Sequence, residues 1–159
     1  SEYEILPERI LANLLVQKRM TISTAESCTG GKIAHKITSV AGSSSYFKGS
    51  VVAYSNEVKA QVLGVPAKLI DTYGAVSSEV VNVMAENICD IMNTSIGIAT
   101  SGIAGPDGGS KEKPIGTVWL AWCINGETFS KKVFYPYTRN VNIERTTSLA
   151  ILECIKRIK

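Results

Sequence analysis

The sequence predicts an α/β fold, a three-layer α/β/α sandwich around a mixed sheet. Three observations carry this expectation. Short apolar runs alternate along the chain with longer stretches of helical period. Asn125-Gly126 joins two of the apolar runs, a strong hairpin signal, so part of the sheet is antiparallel. Two stretches rich in glycine and hydroxyls, one after Ser23 and one after Thr100, each follow a strand-like run directly. Open α/β sheets place their ligands in such loops.

Taken in order, residues 6–20 form an amphipathic helix, with Pro7 in its first turn and Ile10, Leu11, Leu14 and Leu15 on one stripe. Thr21-Ile22-Ser23-Thr24 has strand character. A turn, Ala25-Glu26-Ser27-Cys28-Thr29-Gly30-Gly31, leads into a helix to about Val40, with Ile33, Ala34, Ile37 and Val40 at helical spacing. A hydroxyl-rich loop, Ala41-Gly42-Ser43-Ser44-Ser45, precedes a buried strand over 49–54. Ser55 or Asn56 caps the next helix, which Gly64 stops, and a short helix over 66–73 ends at Gly74. Ser77-Ser78-Glu79 opens a longer helix to about Asn93, with Asn87 the polar exception on its apolar side. Strands are expected over 95–100, 116–124 and 127–135, and a final helix over 142–158. No internal repeat or linker interrupts residues 1–159, so one domain is expected.

Composition narrows the function classes. Hydrophobic residues make up 45% and charged residues 19% of the 159, as in ordinary globular domains. The net charge of +3 is spread along the chain without a basic arm. Nucleic acid is therefore not an expected partner, and a small anionic ligand is compatible. No apolar run is long enough to span a membrane, and the polar, acidic start Ser1-Glu2-Tyr3-Glu4 does not read as a signal peptide. Four dispersed cysteines and one histidine argue against a Cys/His zinc site. Reduced thiols in a cytoplasm account for them.

The turn at 24–31 offers three side chains, Ser27, Cys28 and Thr29, at a helix start whose backbone N–H groups suit an anion or a developing oxyanion. Read locally, Ser27 or Thr29 serves equally well as an N-cap, and Gly30 and Gly31 as turn residues. A nucleophilic serine needs a base. His35 lies about two helical turns beyond Ser27 and cannot reach back. Lysine is the alternative, and Lys59 follows Tyr54 at the end of a strand. It can serve if burial or a neighbouring cation lowers its pKa, and Tyr54 could orient it; otherwise it is a solvated helix lysine. Arg139 and Arg145 flank the start of the last helix, where either could clamp a phosphate or carboxylate. Asp107-Gly108-Gly109, beside Lys111 and Lys113, reads as the lip of a site or a plain surface loop.

Six blocks together resemble the CinA carboxy-terminal domain family. They are Ala25-Glu26-Ser27-Cys28-Thr29-Gly30-Gly31, Ala41-Gly42-Ser43-Ser44, Val52-Ala53-Tyr54-Ser55-Asn56-Glu57-Val58-Lys59, Gly74-Ala75-Val76-Ser77, Ser101-Gly102-Ile103-Ala104-Gly105-Pro106 and Pro114-Ile115-Gly116-Thr117-Val118. The resemblance covers nearly the whole chain and implies the stand-alone form of the domain. It implies a nicotinamide-nucleotide amidohydrolase, which converts nicotinamide mononucleotide into nicotinic acid mononucleotide and ammonia. Catalysis would rest on Ser27 and Lys59, with Tyr54 nearby. Substrate contacts would come from Thr29, Gly30, Gly31, Ser44, Ser101, Gly102 and Gly105, and from Arg139 or Arg145. Ser101 stands where family members often have threonine, and Tyr137-Thr138-Arg139-Asn140 replaces the family's Gly-Asp-Arg segment. Of the two arginines, Arg145 is the one expected to act. No metal and no organic cofactor are expected, and the partners expected are a small-molecule substrate and further copies of the chain in a homo-oligomer. Two other readings remain: a non-catalytic nucleotide-binding or interaction domain, and a cysteine hydrolase using Cys28.

Overall fold

The computed structural model describes residues 5–159; the acidic start at residues 1–4 lies outside the described residues. Five strands form one mixed sheet in the order β2-β1-β3-β4-β5. They are β1 (Ile22–Glu26), β2 (Phe47–Val52), β3 (Ile96–Gly102), β4 (Thr117–Ile124) and β5 (Glu127–Phe134). β1 runs parallel to both β2 and β3, and β4 runs antiparallel to β3 and β5. Asn125 and Gly126 both have positive φ (50° and 84°), as the tight β4–β5 turn requires.

Helices α1 (Pro7–Lys18), α2 (Lys32–Thr38), α3 (Asn56–Gln61), α4 (Ala67–Tyr73), α5 (Ser78–Met92) and α6 (Arg139–Ile158) cover both faces. The side-chain period of two along the central strands sorts the two cores. Ile22, Ile96, Ile98 and Trp122 point to one face, where Leu11 and Leu15 of α1, Ile33 and Ile37 of α2, and Ile151 and Ile155 of α6 bury them. Ala25, Ala99 and Ala121 point to the other, with Val80, Met84 and Ile88 of α5 and Leu63 and Ile70. Small residues in that row let α5 lie close. At Gly97 an added Cβ would come 2.4 Å from the Ala85 carbonyl oxygen, so any side chain there would push the helix off the sheet. Trp122 donates its indole N–H to the Ala150 carbonyl at 2.9 Å and stacks on Phe129, tying α6 to the sheet.

The caps match the residue chemistry. Ser55 accepts from the Val58 amide and Ser77 from the Val80 amide, at the N-termini of α3 and α5. Asn87, the polar residue on the inner side of α5, donates to the Leu63 carbonyl at 2.7 Å.

Four boundaries differ from expectation. β1 continues through Glu26, because Ala25 and Glu26 pair with strands on both sides. β2 lies over Phe47–Val52 and not 49–54, and it is half-buried: it is an edge strand with β1 as its one neighbour. Of its expected buried run, Val51 is half-buried and Val52 exposed, and only Ala53, just past the strand, is buried. β3 extends into Ser101 and Gly102, which pair with Trp119 and Val118. α6 starts at Arg139, three residues early. The Asn142 side chain bonds to Tyr137 and to the Ala104 carbonyl, and holds that first turn against the loop after β3. Among the described residues no helix is long and apolar enough to cross a membrane.

Candidate active site

Ser27 follows the last residue of β1, at the carboxyl end of the parallel part of the sheet. Its amide donates to the Thr100 carbonyl of β3, which extends the strand pairing by one residue. The alternation that sends Ala25 towards α5 sends Ser27 the same way. Lys59 reaches this face from α3 and is 1% exposed. Its Nζ donates to Ser27 Oγ at 3.0 Å and to the Tyr54 carbonyl at 3.1 Å. Ser27 Oγ lies 3.4 Å from that carbonyl and donates to it. Serine, lysine and a main-chain oxygen thus form a tight triangle.

Burial pushes the Lys59 pKa below its ordinary value, with the Cys28 sulfur pulling weakly the other way. No carboxylate among the described residues lies within ion-pair distance of Lys59. A desolvated amine without a counter-ion favours the neutral form, and neutral Nζ at 3.0 Å from a hydroxyl can accept its proton.

The next residues turn to the opposite face. Cys28 is buried with the α1/α2/α6 core, and burial raises its thiol pKa to about 12. Such a thiol is a poor nucleophile at neutral pH. Glu26 is fully buried on that same side. Its carboxylate accepts from Thr29 Oγ1 (2.7 Å) and the amides of Gly31 (3.2 Å), Ile33 (3.0 Å) and Ala34 (2.9 Å), at the start of α2. Gly31 has φ +97°, a left-handed conformation that a side chain would strain.

This arrangement changes which amides are open. The Gly30 amide donates to the Ser27 carbonyl and the Gly31 amide to Glu26. Neither is open to a substrate oxyanion. The amides of Cys28 and Thr29 donate to no other residue among the described residues.

The remaining expected site residues divide between near and far. Ser101, 1% exposed, sits on the Ala99 face of β3, the face of Ser27, and Gly102 ends that strand. Arg139, the first residue of α6, donates to the Gly105 carbonyl at 2.7 Å and to the Tyr54 hydroxyl at 2.8 Å. It links the loop after β3 to the residue whose carbonyl faces Ser27. Tyr54 therefore meets the serine–lysine pair through its main chain, while the residue as a whole is 58% exposed. Arg145, the arginine expected to act, is elsewhere. Its guanidinium lies 4.5 Å over the Tyr137 ring, and it lines a groove of about 700 Å³ along α6 with Tyr135, Val141 and Leu152. Six residues along a helix carry it about 240° around from Arg139, onto another side. Ser44 is exposed in the 3-10 turn Ser43–Ser45, which enters β2 at its amino end. β2 runs parallel to β1, so that end is a strand length, roughly 17 Å, from Ser27. His35 is exposed on α2.

Sequence reasoning assigned no role to Glu26, Thr100 or Asn142. A glutamate inside a strand, one position before the candidate nucleophile, was the available signal for the first.

The family model described as the CinA C-terminal domain matches residues 6–158. A CinA-like protein of Cytophaga hutchinsonii is 49% identical over 150 residues, which cover 94% of this chain and 36% of that protein. A CinA-like protein of Dictyoglomus thermophilum is 44% identical over 156 residues, covering 98% of this chain and 38% of that protein. The chain thus spans little more than a third of the length of the curated relatives it matches. Among solved structures, a CinA superfamily protein from Klebsiella pneumoniae superposes with a TM-score of 0.93 at 30% identity, over 96% of this chain and 95% of that one. The competence/damage inducible protein CihA from Agrobacterium tumefaciens gives 0.89 at 34% identity, with 98% of each chain covered.

Proposed function

The chain belongs to the CinA C-terminal domain family, and from its buried serine–lysine pair we propose that it hydrolyses the carboxamide of nicotinamide mononucleotide to nicotinic acid mononucleotide and ammonia. The observation that carries this reading is the 3.0 Å separation of buried Lys59 Nζ and Ser27 Oγ, with no carboxylate among the described residues within ion-pair distance.

Neutral Lys59 takes the hydroxyl proton as Ser27 Oγ attacks the carboxamide carbon. The Tyr54 carbonyl, 3.1 Å from Nζ, holds the amine in line and accepts one of its N–H groups throughout. The carbonyl oxygen of the substrate becomes an oxyanion beside the free amides of Cys28 and Thr29. A donor preorganised there is worth about 3–4 kcal/mol in comparable sites. The Lys59 ammonium then returns its proton to the leaving nitrogen, the C–N bond breaks, and ammonia departs. Water attacks the acyl-enzyme with Lys59 again as base, and the acid is released from Ser27. The reaction asks for proton transfer and oxyanion stabilisation, which this chain's own groups can supply. Arg139, exposed at the rim, offers a guanidinium to the substrate phosphate in exchange for the Gly105 carbonyl and Tyr54 hydroxyl it now holds.

The test is ammonia release from nicotinamide mononucleotide by the purified protein, with Ser27→Ala alongside. Turnover by the wild type and none by Ser27→Ala is expected. Binding of the nucleotide without ammonia release would favour a binding domain, and turnover by Ser27→Ala would exclude the serine.

A further inference from the structure

We propose that Glu26 is a positioning residue for this reaction: its buried carboxylate holds the Ser27 turn so that Oγ meets Lys59 and the Cys28 and Thr29 amides stay free. The inference rests on reading Ser27 as the nucleophile.

Glu26 is 0% exposed and has no cationic partner among the described residues. A buried carboxylate is tolerated only when hydrogen bonds replace its water. Here Oε1 accepts from Thr29 Oγ1, Gly31 N and Ile33 N, and Oε2 accepts from Thr24 Oγ1 and Ala34 N. Each of the two threonines extends the set. Thr29 Oγ1 lies 2.9 Å from Thr100 Oγ1 on β3, and Thr24 Oγ1 lies 2.6 Å from Ser50 Oγ on β2. A hydroxyl carries one proton. Thr29 gives its proton to Glu26, and Thr24 has both Glu26 Oε2 and Ser50 Oγ as acceptors for its one proton. The network runs from β2 through β1 to β3 and into α2.

Two features go beyond helix capping. The network closes around the turn that carries Ser27, from Thr24 on one side to Gly31 on the other. It also removes competitors. With the Gly31, Ile33 and Ala34 amides bound to Glu26, the free amides of the turn are those of Cys28 and Thr29, next to Oγ in sequence. In strand–turn–helix nucleophile sites the amide after the nucleophile is an oxyanion donor. Glu26 thereby sets where the oxyanion is received, from the face of the sheet opposite the reacting atoms.

The test uses p-nitrophenyl acetate, a small activated ester that needs no nucleotide recognition. Ser27 Oγ bonds to the acetyl carbon, Lys59 takes the hydroxyl proton, and p-nitrophenolate leaves with the electron pair. The acetyl adduct is located by mass spectrometry. Glu26→Gln keeps the shape but sets an NH₂ group against N–H and O–H donors. Its acylation rate is expected to fall by about 100-fold or more, as when an oxyanion donor is lost. With nicotinamide mononucleotide the fall is expected in kcat, with KM little changed. A solely structural role would lower Tm and leave the folded fraction reacting at the wild-type rate. Thr29→Val removes a single bond to Glu26 and serves if Glu26→Gln does not fold; a loss of about tenfold is expected, consistent with one hydrogen bond to a charged group. Wild-type acylation rates in the folded variants would overturn the proposal. Acylation of wild-type Ser27 without ammonia release would end the nucleotide reading and leave the role of Glu26 standing. A wild-type Ser27 that is not acylated would overturn both.

Discussion

Replacing Lys59 by methionine removes a fully buried amine while keeping an unbranched chain of similar length. Two hydrogen bonds are lost, to Ser27 Oγ and to the Tyr54 carbonyl, each worth about 1 kcal/mol net. Against that stands the burial of Lys59, which lowers its pKa in the fold. A free lysine titrates near 10.5. Between the lowered folded value and 10.5, the unfolded chain binds a proton that the folded chain does not, so wild-type stability rises with pH. The slope for one proton is about 1.36 kcal/mol per pH unit. Below the folded value both states are protonated and the full penalty is present; above 10.5 it is gone. The methionine variant carries no such dependence. At pH 10.5 it is expected to be about 1–2 kcal/mol less stable than the wild type, from the lost bonds. As pH falls the gap should close and then reverse, by roughly 3–5 °C in Tm per pH unit for a chain of this size. Urea unfolding of both proteins at half-unit steps from pH 6 to 10.5 reads this directly. A difference that stays constant over that range would show that Lys59 titrates alike in the folded and unfolded chains, and the argument for a neutral base would fall.

Lys59→Arg should be folded and inactive in ammonia release, because arginine keeps the charge and cannot give up its proton; substantial turnover would mean that charge alone is supplied there. Wild-type kcat/KM should rise with pH through one ionisation below that of free lysine, since the neutral amine is the active form; a flat profile from pH 6 to 10 would contradict this. Arg139→Ala should raise KM at least tenfold with kcat little changed, as expected for about 1.4 kcal/mol or more of uniform binding, while Arg145→Ala, on another side of α6, should alter neither; the reverse pattern would return the clamp to Arg145. The Cys28 thiol, pushed up to about 12, should resist iodoacetamide at pH 8, and ammonia release should survive that treatment; rapid alkylation of Cys28 in the folded protein would refute its burial.

Local chemistry was legible in the sequence where a residue acts on its immediate neighbours. Asn125-Gly126, the Ser55 and Ser77 caps and the stop at Gly74 lie where their chemistry puts them. Long-range placement was not. Ser27 and Lys59 are separated by 31 intervening residues, and their 3.0 Å approach depends on the β1–β2 pairing and on how α3 docks against it. No periodicity encodes that: read from the residues, Lys59 is a candidate base or a solvated helix lysine, and family resemblance favours the first. Which arginine lies beside the loop after β3 was not legible, because the start of α6, and so the place of Arg139, is set by a tertiary bond, Asn142 to the Ala104 carbonyl. Val51 and Val52 read as buried, like Ala53 beyond them, because hydrophobicity does not say whether a strand is central or at an edge; Val52 is exposed and Val51 half-buried. Glu26 escaped because its partners come from β1, the turn and α2 together.

The alternation of side chains about β1 has a practical consequence for engineering. Positions 25, 27, 99 and 101 face the Lys59 side, and positions 24, 26 and 100 face the network side, with the sheet backbone between them. A designer altering substrate preference has one set of dials, and a designer altering the stiffness of the turn has another. Substitutions drawn from different sets share no side-chain contact across the sheet, but the turn that Glu26 holds carries Ser27, so changes at 26 and 27 should couple through that turn. Frame matters more still. Deleting or inserting one residue in β1 exchanges the sets, turning the acid towards the lysine and the serine towards α2. The length of this five-residue strand is therefore a stricter requirement than the identity of most residues in it.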